Sequence, residues 1–246
     1  MKRIFLITAL LLFTLGCSSK KMYKEDNFLD GKFKNTYLDY NHDFSKFLKI
    51  SWDFVFHKSE KSIPTKKIPI VQLTQEDILN MQDYSVVRLS HSSLLFKIDN
   101  KLILTDPVFS NRVSPFSFIG PKRLHPNPIE IKDLPNIDVV LISHNHYDHL
   151  DEMSISQLKE KTNKFLVPLN VSKHLLEFGV DKDKIEELNW WDNQELGSLN
   201  FIAAPAQHFS GRGIFDKDES LWVSWVIKSQ KESFYFTEKL FEMIKK

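Results

Sequence analysis

Cysteine is almost missing from this chain of 246 residues: Cys17 stands alone. One cysteine excludes an intrachain disulfide and any thiolate metal cluster. Charge of either sign is not in excess, with a formal net charge of +1. That balance leaves no electrostatic footprint for nucleic acid, so none is expected as a partner. Glycine is scarce, at 7 residues. Neither a G-x-G-x-x-G turn nor a phosphate-binding P-loop occurs. Ser92, Ser93 and Ser143 lie near histidines, yet no G-x-S-x-G elbow or oxyanion loop supports a serine hydrolase. Aromatic residues are plentiful, with Phe 20 and Trp 5, so a sizeable core is available.

Long hydrophobic runs are also absent. The longest, Ile4 to Leu15, is too short for a comfortable membrane span. It follows Lys2 and Arg3 and precedes Gly-Cys-Ser-Ser, the order of an export signal. The stretch resembles a bacterial lipoprotein signal with Cys17 as the lipidated residue. An uncleaved anchor or a plain signal peptide is the alternative. The expectation is a membrane-anchored lipoprotein of the bacterial cell envelope, at the outer membrane, held by buried acyl groups. Residues 1–16 would be the signal peptide and 17–83 an extension.

Within that extension, residues 18–35 read as a polar tether. Residues 41–58 read as a helix, either packed on the main domain or lying on lipid. Pro64 and Pro69 then break any helix. The main domain would run from residue 84 to 246. "SVVRLSHSSLLFKI" and "KLILTDP" are strand-like and joined by a turn at Asp99-Asn100. Pro107, Pro115, Pro121, Pro126 and Pro128 mark an irregular loop. "DVVLIS" reads as a buried strand. A helix capped at Asp151, a strand "KFLVP", a helix ending at Gly179 and a strand "KIEELNWW" follow. Further strands are expected at 199–204, 221–228 and 233–237. Such alternation argues for an α/β or mixed sandwich.

What stands out is "HNHYDH". His144, His146, Asp148 and His149 fall within six residues. His144 and His146 share a face if the preceding strand persists, and a turn can fold Asp148 and His149 back. Imidazole and carboxylate are donors that zinc accepts. A lone histidine on an apolar face is usually a core residue; three in six with an aspartate between them point to metal ligation.

The hexapeptide resembles the His-x-His-x-Asp-His motif of the metallo-β-lactamase superfamily. With its flanks, "HSSLLFKIDNKLILTDP", "LNWWD", "PAQHFSGRG" and "LWVSWVI", residues 84–236 are similar to N-acyl-phosphatidylethanolamine-hydrolysing phospholipase D and its bacterial relatives. The resemblance implies an α+β fold, the four-layer αββα sandwich. It implies one zinc on His144, His146 and His208, and a second on Asp148 and His149, which would also be catalytic. Asp106 would orient a ligand histidine from behind or, as readily, act as a helix cap or turn former, and His91 would lie near the site behind the ligands, with no role of its own assigned. Trp190 and Trp191 would line an acyl groove or, for at least one, sit in the core. The implied activity is zinc-dependent hydrolysis of a phosphodiester in a phospholipid. Hydrolysis of another ester or lactone, or a non-catalytic membrane-anchored role, are the alternatives.

The family's Gly-Asp-Thr-Gly segment and later histidine have no counterpart here, since no Asp follows Asp218 and no His follows His208. On that reading the fold is incomplete at its C-terminus and the second site has only two ligands. A frameshift or stop, a sequence error, or a short form with a binding role would each produce such an ending; the first two together are favoured. Impaired activity or none is the expectation.

Overall fold

The computed structural model describes residues 27–36, 49, 52–53, 64–114, 120, 122–213 and 215–237. The expected signal peptide, Cys17 and most of the helix expected at 41–58 lie outside them.

Two sheets face each other. The larger has six strands in the order β3 (Ser85–Arg88), β4 (Leu94–Ile98), β5 (Lys101–Thr105), β6 (Ile137–Leu141), β7 (Thr162–Pro168) and β8 (Ile185–Leu188). β3 to β5 form an antiparallel meander, and β5 to β8 run parallel. The smaller is antiparallel in the order β12 (Ser233–Phe236), β11 (Val223–Lys228), β10 (Leu199–Pro205) and β9 (Asn193–Leu196). The turn between β4 and β5 is at Asp99 and Asn100, as the sequence suggested. Both have positive φ, at 49° and 59°, the conformation of a two-residue hairpin whose twist suits the strands.

Alternation of side chains fixes the layering. Leu102 and Leu104 of β5 join one core with Ile155 and Leu158 of α2 (Glu152–Leu158) and Leu175 of α3 (Ser172–Glu177). Ile103, between them, points into the other core, with Phe201 of β10 and Trp225 and Ile227 of β11. β6 is buried on both faces, as expected of a central parallel strand rich in branched residues. The described residues thus build three layers, helix, sheet and sheet. The fourth layer of the expected sandwich is not among them.

The extension is more structured than a tether. β1 (Phe28–Leu29) and β2 (Lys32–Phe33) form a small hairpin. Phe33 is buried in the inter-sheet core, and its N–H donates to Asp218 O at 2.7 Å. Such a short hairpin carries too few residues for a strand period to show. Further on, Thr74 and Asp77 close a capping box on α1 (Gln75–Leu79), whose Ile78 is fully buried. The core therefore recruits residues well before Tyr84.

Other expectations shift by a few residues. "SVVRLSHSSLLFKI" is two strands separated by a turn at 89–93, where Leu89 and Ser90 both donate to Ser93 O. β8 ends at Leu188, where a turn begins: Asn189 N donates to Asp192 Oδ2 at 2.9 Å, Asp192 N donates to Asn189 O at 3.0 Å, and Trp191 within it has a positive φ of 70°. Asp151 occupies the N-cap of α2, yet makes no side-chain cap bond. Its carboxylate accepts instead from Ser110 N at 3.1 Å and Ser110 Oγ at 2.8 Å, which ties the proline-rich loop to the helix start. Among the described residues no helix is long and apolar enough to cross a membrane.

Candidate metal centre

The ends of several strands meet at one edge of the sandwich, the usual position for a site in a parallel sheet. β6 delivers residues 143–150 from its C-terminal end. Both His149 N and Leu150 N donate to His146 O, at 3.0 and 2.7 Å, so the chain curls back after His146. β5 ends at Thr105 and presents Asp106. β10 ends at Pro205 and leads to His208, and the β3–β4 turn presents His91.

Two groups of donor atoms result. In the first, His144 Nε2 lies 2.9 Å from His146 Nδ1 and 3.0 Å from His208 Nε2. One ring nitrogen facing two others is a poor pattern for hydrogen bonding alone, because a single N–H can serve only one of them. It is the pattern of three lone pairs turned on one centre. His144 and His208 are buried and His146 is half-buried. In the second group, His91, Asp148 and His149 bring one donor atom each within 4.8 Å of one another. "HNHYDH" supplies His144, His146, Asp148 and His149, and the family resemblance alone adds His208; the second group brings His91 beside the two donors expected there.

Asp106 connects the groups to the sheet. It is fully buried, with a positive φ of 35°. Oδ1 accepts from Ser143 N at 2.7 Å. Oδ2 accepts from Ser143 Oγ at 2.6 Å and faces His149 Nδ1 at 2.8 Å. Burial pushes its carboxyl above the usual range, against the pull of His149 and Ser143. A carboxylate at Oδ2 holds the proton on His149 Nδ1 and leaves Nε2 as the donor toward Asp148, 3.6 Å away. Orienting a ligand histidine from behind was one of two readings of Asp106, and the placement favours it.

Two supports were invisible in the sequence. Asn35, assigned to the tether, clamps the backbone of His208: its Oδ1 accepts from His208 N at 2.9 Å and its Nδ2 donates to His208 O at 2.7 Å. Arg212 donates through one nitrogen to Asn145 O at 2.9 Å and Leu150 O at 2.7 Å, and its guanidinium lies 4.0 Å above the Tyr147 ring. It pins both ends of the loop that carries the candidate ligands. Trp190 is in the core, its Nε1 donating to Trp222 O, whereas Trp191 is 71% exposed. Neither borders the cavity beside the site.

That cavity, of about 650 Å³, opens along His91 and Asp148. Arg88, Lys122 and Arg123 give it positive charge, and Ile70, Val108 and Leu124 give it apolar wall. Arg123 is anchored by its donation to Ser90 Oγ and Val108 O, each at 2.6 Å.

The donor set fits a divalent metal: imidazole nitrogens converge in one group, and a tautomer locked by a buried carboxylate aims a donor into the other. Comparison with known proteins agrees. Residues 101–238 match the family described as the β-lactamase superfamily domain. An uncharacterized protein of Mycobacterium tuberculosis is 37% identical over 217 residues, covering 85% of this chain and 56% of that one. N-acyl-phosphatidylethanolamine-hydrolyzing phospholipase D 1 of Caenorhabditis elegans is 32% identical over 187 residues, covering 72% and 52%. The mitochondrial N-acyl-phosphatidylethanolamine-hydrolyzing phospholipase D of Saccharomyces cerevisiae is 37% identical over 130 residues, covering 51% and 27%. The chain therefore spans between 27% and 56% of the length of these relatives.

Proposed function

The chain belongs to the metallo-β-lactamase superfamily of metal-dependent hydrolases, and we propose that it uses zinc to hydrolyse the phosphodiester of an acylated phospholipid. The observation that carries this reading is the cavity beside the second donor group. Its basic side chains suit a phosphate and its apolar wall suits a chain of methylenes. The names of the nematode and yeast relatives point the same way.

His144, His146 and His208 would hold one ion, and Asp148 and His149 would take part in holding another. When bound, zinc supplies Lewis acidity toward a phosphoryl oxygen and activates water at neutral pH. The protein's own residues do the rest. Asp106 keeps the proton on His149 Nδ1 and the ring in one orientation. Arg212 and Asn35 keep the ligand-bearing loops in place before substrate arrives, which matters because misplaced catalytic groups lose rate steeply. Lys122 and Arg123 draw the phosphate in and bind it, and the apolar wall keeps water from the ester's lipid portion.

The test is a panel on the purified, zinc-loaded chain: N-acyl-phosphatidylethanolamine in mixed micelles, an aryl phosphodiester, an aryl carboxylic ester and a lactone. Release of phosphatidic acid from the first, with little turnover of the last two, supports the reading. Preferred turnover of the carboxylic ester or lactone refutes it in favour of a different hydrolase of the same fold. We also propose attachment to the cell envelope through lipidated Cys17; a Cys17→Ala chain should then fail to incorporate labelled fatty acid and leave the membrane fraction.

A further inference from the structure

We infer that His91 is a metal ligand, the third donor of a second site completed by Asp148 and His149. The inference rests on the reading of the chain as a metal-dependent hydrolase and adds a residue to it. His91 Nε2 lies 3.9 Å from Asp148 Oδ2, and His149 Nε2 lies 3.6 Å from the same oxygen. Both distances exceed a hydrogen bond. Both are close to the separation of two donors sharing an ion, since bonds of about 2.1 Å to tetrahedral corners place donors about 3.4 Å apart. The distances to Asp148 exceed that separation by about 0.5 and 0.2 Å, and all three donor atoms lie within 4.8 Å of one another.

The placement of His91 is built, although its side chain is 60% exposed. Arg88 donates through Nε to Ser90 O at 3.1 Å and through a terminal nitrogen to His91 O at 3.3 Å. Leu89 N and Ser90 N both donate to Ser93 O. The turn is thus tied from both sides, and the imidazole projects from it toward Asp148. Its ring meets the His149 ring edge-on, with centroids 5.7 Å apart. A simple ion pair with Asp148 explains His91 less well, because at 3.9 Å neither hydrogen bond nor close charge contact is made, and two histidines share the one carboxylate oxygen.

The consequence concerns substrate. His91 and Asp148 both line the basic, apolar-walled cavity. A second ion held by these donors would face the cavity, where a phosphoryl oxygen could reach it. An ion in the first group would lie among His144, His146 and His208, two of them buried; one in the second group would be the one an anionic substrate meets on entry.

The test is equilibrium dialysis of the 246-residue chain against zinc, with metal counted by mass spectrometry, for wild type, His91→Ala and His91→Gln. Thermal unfolding of the metal-free proteins controls for folding, and His91, on the surface, should leave it unchanged. Wild type is expected to bind two ions. The variants should retain the first and bind the second at least about 10-fold more weakly, the scale on which even outer-shell changes weaken metal binding. A wild type that binds one ion, or a His91→Ala chain that keeps two at unchanged affinity, overturns the assignment while the hydrolase reading survives on the first group. Two ions, one of them lost with His91, but no phosphodiester cleavage, upholds the assignment and overturns the proposed function.

Discussion

Replacing Asp106 by asparagine should separate metal affinity from folding, and the direction follows from the hydrogen bonds. Oδ1 of Asp106 accepts from the backbone N–H of Ser143, a donor that cannot change. The amide oxygen of Asp106→Asn must take that position, since an NH₂ there would face another donor. The NH₂ then replaces Oδ2, beside Ser143 Oγ and His149 Nδ1. The serine hydroxyl can rotate and accept. The imidazole can accept only by moving its proton to Nε2, the atom aimed at Asp148. The donor of the second group is then blocked. Zinc affinity at that group should fall by about 10–100-fold, the range for outer-shell partners, or about 1.4–2.8 kcal/mol. Stability should move little, because a neutral amide of the same shape relieves the burial that raises the Asp106 pKa. Asp106→Ala differs: it leaves buried donors of Ser143 unmade and should destabilise by about 1–3 kcal/mol. Zinc titration by calorimetry, beside urea unfolding without metal, measures both. Unchanged zinc affinity in Asp106→Asn, with folding intact, would refute the tautomer argument.

Other parts of the fold carry their own expectations. His174 has its pKa pushed down to about 4, chiefly by burial and then by Arg212 and Lys173. Its unfolded value is about 6.5, so the unfolded chain takes up the proton first as pH falls. Its contribution, about 2–3 kcal/mol, is whole above pH ~6.5 and is lost between there and pH ~4; unfolding midpoints against pH should flatten in His174→Gln. Trp225 fills the inter-sheet core and its Nε1 donates to Ile142 O at 2.9 Å. Trp225→Phe should destabilise by about 2–4 kcal/mol through a cavity and an orphaned carbonyl, read from urea unfolding. His208→Ala removes one of three converging donors from the first group. It should weaken zinc there by more than the roughly 10–100-fold of an outer-shell change, seen in the same dialysis assay.

Most of the converging donors were legible in the sequence because local geometry brings them together. His144, His146, Asp148 and His149 leave one strand end together, and strand parity with a following turn is enough to converge them. The Asp99-Asn100 turn was legible for the same reason, being chemistry confined to two residues. Pairings made only by the fold were not. Asp106 meets His149 because β5 and β6 lie parallel and end together; the sequence offered the residue but not its partner. Asn35 reaches His208 across 173 positions, and nothing in a polar segment marks one asparagine as a clamp. His91 was recognised as near the site, yet its role needed the turn that Arg88 ties down. The sandwich was expected from the succession of strands and helices and from the family resemblance, while short pieces such as β1, β2 and α1 are too brief for any period to register.

A crystal structure of the zinc-soaked chain, with anomalous scattering recorded at the zinc edge, tests the central claim most directly. Two peaks are expected, one enclosed by His144, His146 and His208, the other bounded by His91, Asp148 and His149 at the mouth of the cavity. Absence of a peak among the three histidines, at zinc concentrations that saturate a catalytic site, would contradict it.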